Sequence, residues 1–301
     1  MTVPHPIPYQ GSKRRLAEVI LKCAPGKVET LIEPFAGSAA ITLAAAARKL
    51  ARRYLIGDSL EPLVNIWKLI LSEPESLADE YERVWKAQRA NPVEHYLRVR
   101  NSFNRSQNPA ELLYLLARCV KNAVRFNSAR EFNQSADHRR SGMKPAKMRT
   151  QILGSYKLLA GRAEALCRDY GVLLQQATSK DLVYMDPPYQ GVTGRDPRYF
   201  EQLNFKGLVD NLEGLNSRNV PYLLSFDGTC GTRQYGQDLP KELKLTRIWV
   251  HTGRSSQATL NGRDEETTES VYLSPGLGNG NEAKVSIAAP RPKGEQLSLL
   301  C

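Results

Sequence analysis

Leu182-Val183-Tyr184-Met185-Asp186-Pro187-Pro188-Tyr189 is the stretch that decides how the rest of the chain reads. Apolar and aromatic residues followed by two prolines form the pattern of a buried strand that stops abruptly. Asp186 sits where that strand ends, and in an open α/β sheet ligands bind beyond the carboxyl ends of the strands. Pro187 and Pro188 fix their own φ angles and hold the backbone extended. A carboxylate, carbonyl groups that no helix consumes and the Tyr189 ring are thereby directed at one crevice. That set suits a planar ring bearing an amino group, with acceptors for its hydrogens and a face to stack on. A plain strand followed by a Pro-Pro turn accounts for the same residues, so the flanking sequence has to decide.

Upstream, Val28 to Glu33 reads as a strand, Pro34-Phe35-Ala36-Gly37-Ser38 as a tight turn of mostly small residues, and Ala39 to Leu50 as an alanine-rich helix. Strand, small-residue turn and helix open a nucleotide-binding βα unit, because small residues let the backbone approach a ligand. A second strand, Arg53 to Gly57, ends at Asp58. Its distance past Gly37 is close to the spacing of roughly 20 residues at which a carboxylate grips ribose hydroxyls. The full Gly-x-Gly-x-x-Gly is absent, which favours a cofactor with a ribose and no phosphate. Nearer the start, Tyr9-Gln10-Gly11-Ser12-Lys13 precedes a helix over Leu16 to Lys22. Either the Gly-Ser turn offers N–H groups to an anionic or carboxylate ligand, or Ser12 simply caps the helix.

Pro62 to Ser72 reads as helical, and from Glu73 to about Tyr170 the pattern is helical and polar, with no convincing strand. Between Arg118 and Arg168 there are twelve Lys or Arg against three acids, so most of the net charge of +11 sits in this insertion. Arg139, Arg140, Lys144, Lys147 and Arg149 share a loop with Gly142 and Pro145, while Asn122, Arg125, Phe126, Asn127, Phe132 and Asn133 interleave amides and aromatics with the charge. Cations suit phosphates, and Asn and Arg read base edges, so a nucleic-acid partner is expected. Sheet signals resume at Gly171-Val172-Leu173-Leu174 and again before Asp186. Gly191 to Arg198 is a loop suited to closing over a substrate. Phe205 to Asn216 is a helix, and Val220 to Phe226, Ile248 to His251 and Ser270 to Leu273 are strands. From Pro275 onward the composition suggests disorder.

An apolar content of 41% in 301 residues supports a substantial core. No apolar run is long enough to span a membrane, and the first residues lack the layout of a signal peptide. Five scattered cysteines without a Cys-x-x-Cys pair, and four histidines not spaced to share a helix face, give no metal site and no disulfide framework. A reducing cytoplasm follows as the expectation.

Taken together, Tyr9-x-Gly-Ser-Lys13, Glu33-Pro-Phe-x-Gly37, Arg125-Phe-Asn127 with Glu131-Phe-Asn133, and Asp186-Pro-Pro-Tyr189 resemble, in that order, the motifs of the Dam-like family of DNA adenine methyltransferases (D12 class, group alpha). The resemblance spans roughly residues 8 to 274. It implies a Rossmann-like α/β sheet dependent on S-adenosylmethionine, with a mainly helical DNA-recognition insertion. Residues 1–72 and 171–274 would form the catalytic part, 73–170 the insertion, and 275–301 a disordered tail. The implied reaction is methylation of the 6-amino group of adenine in double-stranded DNA, with the base flipped out. Cofactor contacts are implied at Tyr9, Lys13, Glu33, Asp58 and Asp186, with Phe35 and Gly37 shaping the turn. Asp186, Pro187, Pro188 and Tyr189 would hold the target base. Asn122, Arg125, Asn127, Arg130, Asn133, Arg139, Arg140, Lys144 and Lys147 would face DNA. Ser38, Ala39 and Ala40 stand where the family has a run of glycines, and Arg130 replaces a glycine. Competing readings are methylation of cytosine 4-amino groups or of RNA, and a non-catalytic DNA-binding protein on the same scaffold. A cytoplasmic, nucleoid-associated monomer is expected, alone or beside a restriction partner. Gln296, Leu297, Leu299 and Leu300 resemble the short peptide by which bacterial DNA enzymes dock on the replicative sliding clamp.

Overall fold

The computed structural model describes residues 2–89, 91–188, 203–230, 233–235, 238–254, 266–278 and 283–286. In chain order these form α1 (Ala17–Lys22), β1 (Val28–Glu33), α2 (Ala40–Ala47), β2 (Ala51–Asp58), α3 (Glu61–Ser72), α4 (Pro74–Lys86), α5 (Pro92–Ser106), α6 (Pro109–Arg118) and α7 (Pro145–Leu159). There follow β3 (Ala163–Cys167), α8 (Tyr170–Gln176), β4 (Leu182–Met185), α9 (Phe205–Ser217), β5 (Tyr222–Cys230), β6 (Arg233–Tyr235), β7 (Thr246–Arg254), β8 (Glu266–Leu273) and β9 (Ala283–Ser286).

The strands join in one sheet of order β3-β2-β1-β4-β5-β8-β7-β9, with β6 hairpinned onto β5. The first five run parallel, β8 is antiparallel to both its neighbours, and β9 pairs parallel with β7. This is a Rossmann-like α/β arrangement. Strand order reverses between β1 and β4, which makes their carboxyl ends the switch-point crevice where such sheets bind ligands. β4 is buried at every position, as a central strand covered on both faces must be.

One face of the sheet packs Leu31, Tyr54, Ile56 and Tyr184 against α1 to α3, and that core continues without a break into the insertion through Tyr81, Tyr96, Phe103, Leu113 and Phe132. The other face packs Ile32, Val183, Met185, Leu224 and Phe226 against Leu173, Leu174, Leu208 and Leu212 of α8 and α9.

Three expectations need correction. Gly171 to Leu174 lies in a helix, not a strand: the Asp169 carboxylate accepts the Gly171 amide at 2.8 Å and starts α8. A short apolar run does not discriminate the two structures without its cap. The strand missing from the sequence reading is β3, within residues assigned to the helical insertion; it pairs with β2 from Tyr54↔Ala163 to Asp58↔Cys167. It is an edge strand with only Ala165 fully buried, so its apolar signal is weak. The chain past 275 is not uniformly without structure either, because Ala283 to Ser286 extends the far edge of the sheet beside Ile248 to His251. Gly191 to Arg198, Tyr189 and Gln296 to Leu300 lie outside the described residues.

Candidate active site

A cavity of about 450 Å³ opens at the carboxyl ends of β1, β2 and β4. Tyr9, Lys13, Glu33, Phe35, Gly37, Asp58, Asp186, Pro187 and Pro188 all line it, so segments distant in sequence meet at one crevice.

The turn after β1 is braced from several sides. The Trp67 indole N–H donates to the Gly37 carbonyl at 3.0 Å, and the Gly37 and Leu60 amides donate to the Asp58 carboxylate at 2.9 and 3.0 Å. Burial pushes the Asp58 carboxyl up, while those amide bonds pull it down. Gly37 has φ +50°, and a methyl group there would stand 3.2 Å from the Tyr9 ring. Ser12 makes no side-chain cap to the short 3-10 turn over Lys13–Arg15; its hydroxyl accepts the Ser38 hydroxyl at 2.8 Å, tying the Gly-Ser turn to the cavity wall. Glu33 accepts the Thr42 amide at 2.8 Å from the first turn of α2. Burial pushes its carboxyl up to about 8, and the nearby Asp186 charge acts in the same direction.

Asp186 is 2.8 Å from the Lys13 ammonium, and Lys13 is in turn 3.5 Å from Glu269 of β8. Lys13 is only 7% exposed, so it works as a buried counter-charge at the end of β4. Phe35 stacks on Tyr170 with ring centroids 4.9 Å apart and tilted by 32°, and both rings border the cavity.

The insertion reaches the same crevice. Val124 and Phe126 form part of its wall. Phe126 bridges to Phe132 across a hairpin closed by the Asn133 amide donating to the Arg125 carbonyl at 3.1 Å. At the tip, the Asn127 side chain donates to the Glu131 carboxylate and accepts the Glu131 amide, both at 2.9 Å. Arg130 sits there with φ +61°, and it and Asn133 are exposed. Asn122 holds the fold together locally, since its side chain donates to the Leu116 carbonyl at 2.7 Å and its carbonyl accepts the Gln10 amide at 3.0 Å.

The basic segment is not all loop, since Pro145 opens α7 and puts Lys147 and Arg149 in that helix, and it is less free than its composition suggests. Arg139 and Arg140 flank Asp137 at 3.2 and 2.8 Å, and the Asp137 side chain is 3% exposed. Bonds from Arg139, and then from Arg140, hold that carboxyl well below the usual range. Arg149 is committed to Glu75 and Asp79 of α4, and Arg118 is buried against Gln88 and the Asp137 carbonyl. Lys144 and Lys147, at the start of α7, are exposed.

Residues 9–253 match the model of the D12 class N6 adenine-specific DNA methyltransferases, a span that takes in both walls of the cavity. The chain belongs to that family. It is 28% identical over 244 residues to the "DNA N-6-adenine-methyltransferase" of Escherichia phage P1, covering 76% of this chain and 30% of that protein. It is 28% identical over 211 residues to the "DNA adenine methylase" of Haemophilus influenzae, covering 69% and 68%. With the "DNA adenine methylase" of Escherichia coli K12 the identity is 26% over 239 residues, covering 76% and 82%. The chain thus spans less than a third of the phage relative and more than two thirds of the other two.

For a D12-class methyltransferase chain, three residues at or beside the site escaped the sequence reading. Asp169 and Tyr170 line the cavity, and Glu269 reaches Lys13. Asp169 followed by Tyr-Gly-Val-Leu-Leu carried a readable cap signal. Glu269, in Glu-Thr-Thr-Glu-Ser, carried none.

Proposed function

We propose that this chain transfers a methyl group from S-adenosylmethionine to the exocyclic 6-amino group of adenine in double-stranded DNA, acting on a flipped-out base. The observation that carries the reading is the meeting of Asp186-Pro187-Pro188, the Pro34–Ser38 turn and the insertion's Phe126 hairpin in one cavity. The residues fit the cofactor. The Phe35–Tyr170 pair offers a planar ring a stacking surface, Asp58 offers ribose hydroxyls a carboxylate, and Asp186 with Glu269 outweighs Lys13 in charge, which suits a sulfonium. Bound there, S-adenosylmethionine supplies a methyl group activated by its positively charged sulfur.

Adenine's amine is a poor nucleophile, because its lone pair is delocalised into the ring. Asp186 and the Pro187 carbonyl accept the amino hydrogens and draw the lone pair out of conjugation. They also stabilise the positive charge that grows on nitrogen as it bonds carbon. Holding the amine in line supplies roughly 7–11 kcal/mol of the barrier. Flipping costs about a few kcal/mol, least where the base is already unpaired. Exposed Lys144 and Lys147, and the hairpin whose Phe126 lines the cavity, support DNA as the partner.

Asp186→Ala is expected to abolish transfer of isotope-labelled methyl groups to DNA, with the circular dichroism spectrum unchanged, because Asp186 stands at a strand end outside the core. Transfer near the wild-type rate would overturn the reading.

A further inference from the structure

Two carboxylates reach the buried Lys13 ammonium from different parts of the sheet: Asp186 from the end of β4 at 2.8 Å, and Glu269 from β8 at 3.5 Å. The fold makes specific provision for the second. Glu269 pairs with Gly228, at the point where the β5–β8 register shifts after Ser225. At Gly228 a methyl group would fall 2.6 Å from the Thr268 carbonyl, so glycine is what allows the two strands to close beside Glu269. Glu269 Oε2 is buried and has no hydrogen-bond partner among the described residues. Its charge is answered by Lys13 at ion-pair distance. Taking that oxygen out of water without a hydrogen bond costs stability, although the Glu269 side chain as a whole stays 26% exposed.

The electrostatics give it a reason. Lys13 and Asp186 alone form a neutral pair, and a cation 2.8 Å from Asp186 weakens that carboxylate as an acceptor for anything else. A second carboxylate on the same ammonium leaves the trio with a net negative charge. Glu33, the next acid, has its carboxyl pushed up to about 8 and adds no full charge near neutrality.

We propose that Glu269 is a positioning residue for the transfer: it shares Lys13 with Asp186, draws part of the ammonium's charge to itself, and so leaves the Asp186 carboxylate available to an amine that becomes cationic as it takes the methyl group. This rests on the methyl-transfer reading above. Glu269 acts through Lys13, which lines the cavity, whereas Glu269 itself is not part of the cavity lining.

The test compares the full-length chain with its Glu269→Gln and Glu269→Asp variants, using unmethylated genomic DNA as substrate. Glu269→Gln is expected to lower kcat about tenfold while the KM for DNA stays within about twofold, since the lost effect belongs to the charged transition state. Glu269→Asp, which keeps the charge, should recover a substantial part of kcat. A second readout needs no turnover: calorimetric affinities for S-adenosylmethionine and for its uncharged thioether product. In Glu269→Gln the preference for the sulfonium should fall about threefold or more, because one negative charge has left its surroundings. Wild-type kcat and an unchanged preference in Glu269→Gln would overturn the proposal. So would equal impairment of both variants with a matching fall in Tm, which would make Glu269 a packing residue. If the wild-type chain neither binds these ligands nor methylates DNA, the functional reading fails and takes this inference with it; failure confined to the variants removes only the role of Glu269.

Discussion

Glu33 takes the Thr42 amide from inside the sheet with 3% of its surface exposed, and burial lifts its carboxyl from 4.5 to about 8. Between those two values the folded chain holds a proton that the unfolded chain has released. Stability from this group therefore falls as pH rises through that window and levels off above it. Glu33→Gln keeps an acceptor for Thr42 and removes the titration. The variant should gain on the order of 2–4 kcal/mol over wild type at about pH 9 and nothing at about pH 4, read by urea melts at both. An equal change at the two values would assign the effect to packing instead. Gly37 carries a different constraint. Ala39 beside it already has φ +47° without being glycine, so the turn holds one strained alanine. Gly37→Ala would add a second at φ +50° and press a methyl group on Tyr9. It is expected to cost about 1–3 kcal/mol of stability, and to weaken binding of S-adenosylmethionine by calorimetry, since Tyr9 lines the same cavity.

At the scale of elements, what could be read from sequence followed the strength of each local signal. β1 and β4 were legible because short apolar runs, Leu31-Ile32 and Leu182 to Met185, stop at Glu33 and Asp186, and both of those acids line the cavity. β3 was not, because an edge strand that alternates through Glu164 and Leu166 looks like the polar helices around it. The basic loop shows a second kind of failure, since composition counts charges and not their partners. Arg139 and Arg140 are held by the buried carboxylate of Asp137, a pairing that two- and three-residue spacing permits and does not announce. The arginine pair and the lysine pair at the start of α7 should therefore separate on mutation. Arg139→Ala with Arg140→Ala strips a buried carboxylate of its cations and should lower Tm measurably, with loss of DNA binding as a consequence of misfolding. Lys144→Ala with Lys147→Ala should leave Tm unchanged and flatten the salt dependence of DNA binding by roughly one unit of slope for each phosphate left without its cation. Unaltered salt slope in the lysine pair would turn α7 away from DNA.

For the whole molecule, the question is whether the insertion is a unit of its own. Its sequence invites that view: a basic, helical stretch set between two halves of a sheet. The core argues otherwise. Tyr81, Tyr96, Phe103, Leu113 and Phe132 of the insertion are buried in the same continuous cluster as Leu31, Tyr54 and Tyr184 of the sheet. A polar bond crosses the same boundary where the Asn122 carbonyl accepts the Gln10 amide, and within the insertion the Tyr81 hydroxyl donates to the Met143 carbonyl at 2.6 Å. Removing the insertion would expose large aromatic side chains and uncover α2 and α3, on which its helices pack, each such side chain being worth about 1.5–3 kcal/mol of burial. A polar linker and a small polar interface, the usual marks of an independent domain, are both missing at this boundary among the described residues. Sheet and insertion should accordingly unfold together. Differential scanning calorimetry of the full chain is expected to give a single transition with calorimetric and van't Hoff enthalpies in agreement. Adding S-adenosylmethionine should move that transition upward as a whole, by the mass action of a ligand bound only to the folded state. Two resolved transitions, with the cofactor shifting only one, would mean that DNA recognition and methyl transfer are joined by a tether and not by a shared core.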